Sequence, residues 1–170
     1  MPRRLLSRFQ PESIFEFREA ARRRYDEGLS LAGSGLRTAA IYLWGYVAEM
    51  TLKAAYFSLI GHSETATITW PGHIRPAIDR GRASPFHIQW PNHEAGHNVR
   101  AWAELLIVER AQMPGAAYST PFALQVQSCG QEIWDLWRVT LRYHKNRAYP
   151  FEVRQVREAT TWLLTNSSQL

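Results

Sequence analysis

The chain has 170 residues, of which 45% are hydrophobic and 12% aromatic. This composition is typical of one globular domain and excludes an intrinsically disordered chain. The single cysteine, Cys129, excludes a disulfide within the chain. The formal net charge is +5, and 18 of the 20 basic residues are arginine. Because guanidinium groups suit phosphate, these values permit a nucleic-acid partner without requiring one.

The distribution of charge argues against a targeting or membrane-spanning segment. Residues 1–8 are basic but lack the apolar stretch of a signal peptide. Glu49 and Lys53 interrupt the longest apolar stretch, so no run of about 18 apolar residues remains to cross a bilayer. We therefore expect a cytoplasmic protein without a membrane partner.

Apolar residues that recur every three or four positions predict helices along most of the chain. The five predicted helices are residues 11–32, 36–60, 97–112, 121–143 and 151–164. The second is apolar over more than half of its circumference, which favours a central position. Its Glu49 and Lys53 have the spacing of an ion pair, and Cys129 lies on the apolar stripe of the fourth helix. The short connections predict an all-α fold, a largely antiparallel up-and-down bundle that forms one domain over residues 1–170.

Residues 62–96 interrupt this helical pattern between the second and third predicted helices. The insertion contains four prolines and few strong helix formers, and long irregular segments inside compact domains are often functional. The pattern I-x-W-P-x-H occurs in it twice, at residues 68–73 and 88–93. Because the residues before each Trp-Pro step favour β-structure, we predict a short β-hairpin from residues 65–70 and 85–90.

Three motifs in fixed order carry a resemblance to a known family. The motifs are A-E-x-x-L-K-A at residues 48–54, G-H-N-V at residues 96–99 followed by Trp102, and W-x4-R-Y at residues 137–143. In this order and spacing the chain resembles the HEPN domains, the higher-eukaryote and prokaryote nucleotide-binding superfamily. The resemblance covers most of the chain outside the insertion.

The resemblance implies a compact helical bundle that often forms a homodimer. Many HEPN domains are metal-independent endoribonucleases of toxin–antitoxin, CRISPR-associated or phage-defence systems. Others are non-catalytic and act with a partner such as a nucleotidyltransferase. The resemblance therefore implies an RNA- or nucleotide-linked role, with an antitoxin or a nucleotidyltransferase as the partner protein and with no cofactor.

Arg138 and His144 match the Arg-x4–6-His pattern of the catalytic HEPN members. An arginine holds the scissile phosphate and a histidine moves a proton to or from a ribose oxygen, while Arg142, Lys145 and Arg147 are expected to bind phosphate. The residue after Arg138 is Val139, where the active pattern prefers a polar residue. The alternative is a solvated basic strip in which His144 caps the end of a helix.

A second candidate is a zinc site in the insertion. His93-Glu94-Ala95-Gly96-His97 is an H-E-x-x-H sequence, which on a helix places two imidazoles on one face for Zn²⁺ and a glutamate for water activation. The repeated pattern supplies His73 as a third ligand. Gly96 is unfavourable within a helix, so the alternative is that Asn92 or Asn98 caps the third predicted helix and His97 makes local hydrogen bonds.

A third candidate is a nucleic-acid-binding surface that contains Trp70 and Trp90. Both tryptophans lie near histidines and arginines of the insertion, and aromatic side chains beside arginine suit single-stranded RNA. The alternative is that both tryptophans fasten the insertion to the helical bundle. The sequence thus leaves three functional hypotheses: an RNA-linked HEPN-like domain, a non-catalytic module that binds a protein or nucleotide, and a zinc hydrolase.

Overall fold

The described part of the chain consists of helices and the loops that connect them. The computed structural model describes residues 12–83, 85–91 and 96–170. Its α-helices are α1 (Ile14–Gly33), α2 (Arg37–Leu59), α3 (Arg75–Arg82), α4 (Val99–Gln112), α5 (Thr120–Leu136) and α6 (Pro150–Thr165). A π-helical turn, Trp70–Ile74, precedes α3, and a 3-10 helix, Val139–Tyr143, follows α5. The predicted all-α class is confirmed, and none of the described helices has the length and apolar character needed to cross a membrane.

Helix α2 is the centre of the fold, as its apolar circumference predicts. It packs against α1, α4, α5 and α6, and most of its side chains are buried. The largest fully buried side chains include Trp44 of α2, Trp102 of α4 and Trp137, which directly follows α5. The core therefore surrounds α2, and even charged residues in the middle of α2 are buried.

Capping residues set the helix ends close to the predicted positions. The Ser13 hydroxyl accepts a hydrogen bond from the Glu16 amide and starts α1, which the S-x-x-E pattern would have indicated. The predicted start at Pro11 lies outside the described residues. Gly35 has a positive φ of 76° after α1, and the Asn98 side chain caps α4 by accepting from the Ala101 amide. Of the two caps predicted for this helix, the structure uses Asn98.

The prediction that the fourth helix continues to residue 143 is wrong. Helix α5 ends at Leu136, and Trp137 adopts an extended conformation with φ −123° and ψ 136°. This turn in the backbone buries the Trp137 indole against Gly45 and lets its Nε1 donate to the Tyr42 carbonyl at 3.0 Å. Burial of a large indole outweighs continuation of the helix.

The predicted β-hairpin is also wrong for the described residues. Residues 70–82 are helical, and Thr67 forms an isolated bridge with Ser13 instead of pairing within the insertion. Helix α3 is held to α4 by a bidentate ion pair between Arg80 and the buried Glu109, with Nη2 to Oε2 at 2.9 Å. The insertion thus adds a sixth helix to the five predicted ones and packs on the bundle as a helical element.

Cys129 occupies the packed side of α5. It is buried, next to Gly130, whose Cα approaches α4 so closely that an added methyl would collide with Ala103. Burial raises the pKa of the Cys129 thiol to about 11. The prediction of a small core residue is confirmed.

Candidate nucleic-acid interface

The segment between α5 and α6 and the start of α6 carry exposed basic and aromatic side chains. We call these residues the basic–aromatic strip. The strip consists of Arg142, Tyr143, His144, Lys145, Arg147, Tyr149 and Phe151. Its aromatic members are 74%, 63% and 56% exposed in chain order. Large aromatic side chains exposed in a cluster indicate a binding surface more often than scattered ones do.

Thr38 at the start of α2 anchors the backbone of the strip. Its hydroxyl accepts hydrogen bonds from the Arg147 amide at 2.9 Å and the Ala148 amide at 3.0 Å. Asn146 completes the anchor, because its side chain accepts from the Thr38 amide at 3.0 Å and donates to the Gly35 carbonyl at 2.8 Å. The strip is therefore fixed to the bundle although its side chains face solvent.

A cleft of about 310 Å³ opens beside the strip. Its lining includes His144, Lys145, Arg147 and Tyr149. Glu152 also lines the cleft, but one of its oxygens accepts the Tyr149 amide at 2.7 Å. The structure thus brings together two of the predicted phosphate-binding residues, Lys145 and Arg147, and the predicted catalytic His144 at one concave surface.

Arg138 and His144 lie in different surroundings. The Arg138 guanidinium stacks 3.5 Å from the ring centroid of Trp134 on α5 and donates to the Trp137 carbonyl at 2.6 Å. His144 is exposed at the cleft with Lys145. The two residues flank the 3-10 helix, so their role as a catalytic pair stays a prediction.

Arg142 connects the strip to α2. Its guanidinium lies 4.6 Å from the ring centroid of Tyr143. The Tyr143 phenol and, to a smaller extent, Tyr42 raise the pKa of Arg142. Arg142 also opposes the rise in the pKa of Tyr46 that burial, Tyr42 and Glu49 cause. The 3-10 helix that carries Arg142 packs against α2.

The two tryptophans of the insertion differ sharply in exposure. Trp90 is 5% exposed and packs edge-on against Trp102, with ring centroids 5.3 Å apart. It offers no ring face to a base in this arrangement, which matches the alternative that it fastens the insertion to the bundle. Trp70 is 52% exposed and packs on the backbone of Gly96.

The three histidines of the zinc hypothesis are not seen as a cluster. His73 Nδ1 accepts the Thr69 amide at 3.0 Å, its ring lies 4.9 Å from that of His62, and His97 bonds to Glu49. His93 lies outside the described residues. Within the part of the chain that the structure describes, no three potential ligands are close enough to hold a metal ion.

A largely buried polar cluster of Glu49, Lys53 and His97 lies beside Tyr46. Glu49 Oε1 accepts from Lys53 Nζ at 2.5 Å, and Glu49 Oε2 lies 2.9 Å from His97 Nδ1. Glu49 and Lys53 are 4% and 5% exposed. Burial alone would raise the pKa of Glu49, but Lys53 and His97 outweigh it, so the pKa lies below its usual value. Glu49 is therefore ionised at neutral pH.

The cluster is the end of a longer polar stripe on α2. Tyr42, Tyr46, Glu49 and Lys53 follow one another at three- and four-residue spacing and so share one helix face. Tyr42 donates to the Tyr46 hydroxyl at 3.5 Å, and the Tyr46 and His97 rings meet edge-on with centroids 6.1 Å apart. The A-E-x-x-L-K-A motif indicates the Glu49–Lys53 pair, which the structure confirms. No sequence signal links Glu49 to His97, because 48 residues separate them.

A second pocket, of about 340 Å³, opens at this cluster. Its lining includes Tyr46, Glu49, Lys53, Trp70 and His97. It therefore combines buried charges, an imidazole and an exposed indole, which is the combination expected of a functional pocket.

No protein-family model, curated protein or solved structure matches this chain. Functional proposals for the chain therefore rest on the strip and on the polar cluster.

Proposed function

We propose that the chain is an HEPN-like domain that binds single-stranded RNA along the basic–aromatic strip. One observation carries the proposal: exposed aromatic rings and exposed cations share one short segment whose backbone Thr38 fixes in place. Aromatic side chains stack on bases of any sequence, and arginine and lysine neutralise phosphates. A fixed backbone lowers the entropy lost when the strand binds.

The positions of the aromatic rings support a single strand more than a duplex. The rings of Tyr149 and Phe151 are nearly parallel, with an interplanar angle of 9° and centroids 5.9 Å apart, and both side chains are exposed. Bases of a single strand are free to stack on exposed rings, whereas those of a duplex are already stacked on each other. The cleft beside Tyr149 holds His144 and Lys145, which suits the phosphates that follow.

Metal-independent cleavage of the bound RNA by a cytoplasmic homodimer is the catalytic form of this proposal. Arg138 would hold the scissile phosphate and His144 would move a proton, as the resemblance implies. One observation favours the non-catalytic alternative: the Arg138 guanidinium is engaged by Trp134, not placed in the cleft with His144. A non-catalytic module would use the same strip to bind RNA, a nucleotide or an acidic partner protein.

Fluorescence anisotropy with a labelled single-stranded oligoribonucleotide tests RNA binding. The test variant combines Arg142→Ala, Lys145→Ala and Arg147→Ala. Its matched control removes three exposed arginines of α1, Arg22, Arg23 and Arg24. For three lost phosphate contacts we expect Kd to rise about tenfold and the slope of log K against log salt to fall by about 2. Equal losses in both variants would show that only net charge matters and would sink the proposal.

A cleavage assay on the same oligonucleotide distinguishes the catalytic form from the binding module. Wild-type protein in the presence of a chelator is compared with His144→Ala, whose substitution is at an exposed site. Loss of cleavage in the variant at saturating RNA supports the Arg138–His144 pair. Binding without cleavage by the wild-type protein supports the non-catalytic module.

A further inference from the structure

We propose that Glu49, Lys53 and His97, rather than Arg138 and His144, form the acid–base site that transfers a proton during cleavage of an RNA phosphodiester. The inference rests on the proposed RNA binding and adds a second place on the chain where the strand is held. The site is the pocket of about 340 Å³ at the end of the α2 polar stripe.

The ionised Glu49 fixes the hydrogen-bonding role of His97. A carboxylate only accepts hydrogen bonds, so the 2.9 Å contact requires His97 Nδ1 to donate. The neutral imidazole then carries its lone pair on Nε2. His97 Nε2 has no hydrogen-bond partner within the described residues, and 43% of the side chain is exposed at the pocket. A carboxylate that orients a histidine in this way makes Nε2 a proton acceptor of fixed direction.

Lys53 supplies a positive charge at the same pocket. An ammonium has three N–H donors, and Lys53 uses one of them for Glu49 among the described residues. Its nitrogen also lies 5.5 Å from the ring centroid of Trp102. The remaining donors suit a phosphate oxygen on which negative charge increases in the transition state. The opposite charges of Glu49 and Lys53 let the pocket exclude water without leaving a bare ion.

The polar stripe of α2 joins this pocket to the basic–aromatic strip. From Tyr42 to Lys53 the helix rises about 16 Å, and the 3-10 helix that carries Arg142 of the strip packs against α2. At the far end, Trp70 packs on Gly96, directly before His97, and keeps half of its surface exposed. A strand that leaves the strip past Arg142 thus meets an indole for base stacking and the His97 imidazole at one pocket.

The proposed step is internal attack on phosphorus by the ribose 2′-hydroxyl. The 2′-oxygen–phosphorus bond forms and the phosphorus–5′-oxygen bond breaks, with the 2′-hydroxyl proton passing to His97 Nε2. The resulting imidazolium, stabilised by Glu49, returns this proton to the departing 5′-oxygen. The products are a 2′,3′-cyclic phosphate and a 5′-hydroxyl, and the site ends in its starting protonation state.

His97→Asn separates the catalytic role of His97 from a structural one. The asparagine amide N–H can replace the Nδ1–H bond to Glu49, but asparagine has no basic nitrogen. We expect cleavage to fall about 100-fold or more, while Kd for RNA and the urea midpoint stay at wild-type values. The strip variant Arg142→Ala, Lys145→Ala, Arg147→Ala should instead raise Kd.

Rescue by added imidazole gives a readout that a structural role would not move. His97→Ala leaves space in the pocket, so millimolar imidazole should restore part of the lost cleavage in His97→Ala, whereas cleavage by His144→Ala should not depend on imidazole. Wild-type cleavage rates in His97→Asn, or no cleavage by the wild-type protein, would overturn the acid–base site. RNA binding by the strip would stand in either case, whereas equal losses of RNA affinity in the strip variant and in the α1 arginine control would remove both proposals.

Discussion

The basic–aromatic strip and the α2 polar cluster use similar residue types under opposite conditions. The strip exposes its cations to solvent, where salt screens them and each exposed ion pair contributes little to stability. The cluster buries Glu49 and Lys53 under α4 and the insertion, where each charge depends on its partner. The exposed charges of the strip are thus accessible to a ligand, whereas the buried charges of Glu49 and Lys53 compensate each other.

Loss of the buried Lys53 ammonium should destabilise the fold more than loss of an exposed charge does. Lys53→Met leaves Glu49 buried with His97 as its remaining partner, and we expect a loss of about 3–5 kcal/mol in the free energy of unfolding. Urea denaturation measures it. The control, Arg18→Met, removes an exposed ion pair with Glu64 and should cost about 1 kcal/mol or less. Similar losses in both variants would contradict the distinction between buried and exposed charge.

Gly45→Ala tests the packing between α2 and the Trp137 indole. The added methyl would collide with the Trp137 indole, which sits between the polar stripe and the strip. We expect a loss of about 1–3 kcal/mol from overpacking. Gly33→Ala at the end of α1, where a methyl meets nothing within 4 Å, should be neutral or slightly stabilising. Thermal unfolding compares the two, and a stable Gly45→Ala protein would show that Trp137 is loosely held.

Thr38→Val should loosen the backbone of the strip without removing any of its charges. Two backbone amides lose the hydroxyl that accepts them, so we expect a loss of about 1 kcal/mol in stability and weaker RNA binding. Thr38→Ser keeps the hydroxyl and should retain affinity. Unfolding by urea and anisotropy with RNA measure both quantities. Equal RNA affinity in the two variants would show that the anchor does not organise the strip.

The pH dependence of stability should show the contribution of the buried Glu49 cluster. This is the smallest of the expected effects. The folded-state pKa of Glu49 lies below its ordinary value of 4.5 because Lys53 and His97 outweigh burial. The stability from Glu49 is thus fully present above about pH 4.5 and is lost as pH falls through the lower folded value. The difference between wild type and Glu49→Gln in unfolding free energy should therefore shrink below pH 4.5. A difference that grows on acidification would mean that the pKa is raised.

Periodicity predicted the helices because helix formation follows the local pattern of apolar residues. It failed at Trp137, where burial against Gly45, 92 positions earlier in the chain, ends α5 seven residues before the predicted end at residue 143. It also failed in the insertion, where Thr67 forms an isolated bridge with Ser13 and the chain turns helical from Trp70. In both places a contact distant in sequence outweighs local preference.

The candidate sites show the same limit. The strip is contiguous in sequence, so its cations were predictable; the exposure of Tyr143, Tyr149 and Phe151 was not, because it depends on how α6 packs. The Glu49–Lys53 pair follows from helical spacing. The contact of Glu49 with His97 requires α2 and α4 to be side by side, and a single sequence does not show which helices are neighbours.

Cys129 can report how often the contact between α5 and α4 opens. Because it is the one thiol in the chain and is buried between α5 and α4, a thiol reagent reaches it when this contact separates. The rate of modification over a range of reagent concentrations gives the frequency and free energy of that opening in the unaltered chain. The same measurement with RNA bound shows whether occupation of the strip tightens the helices that carry it.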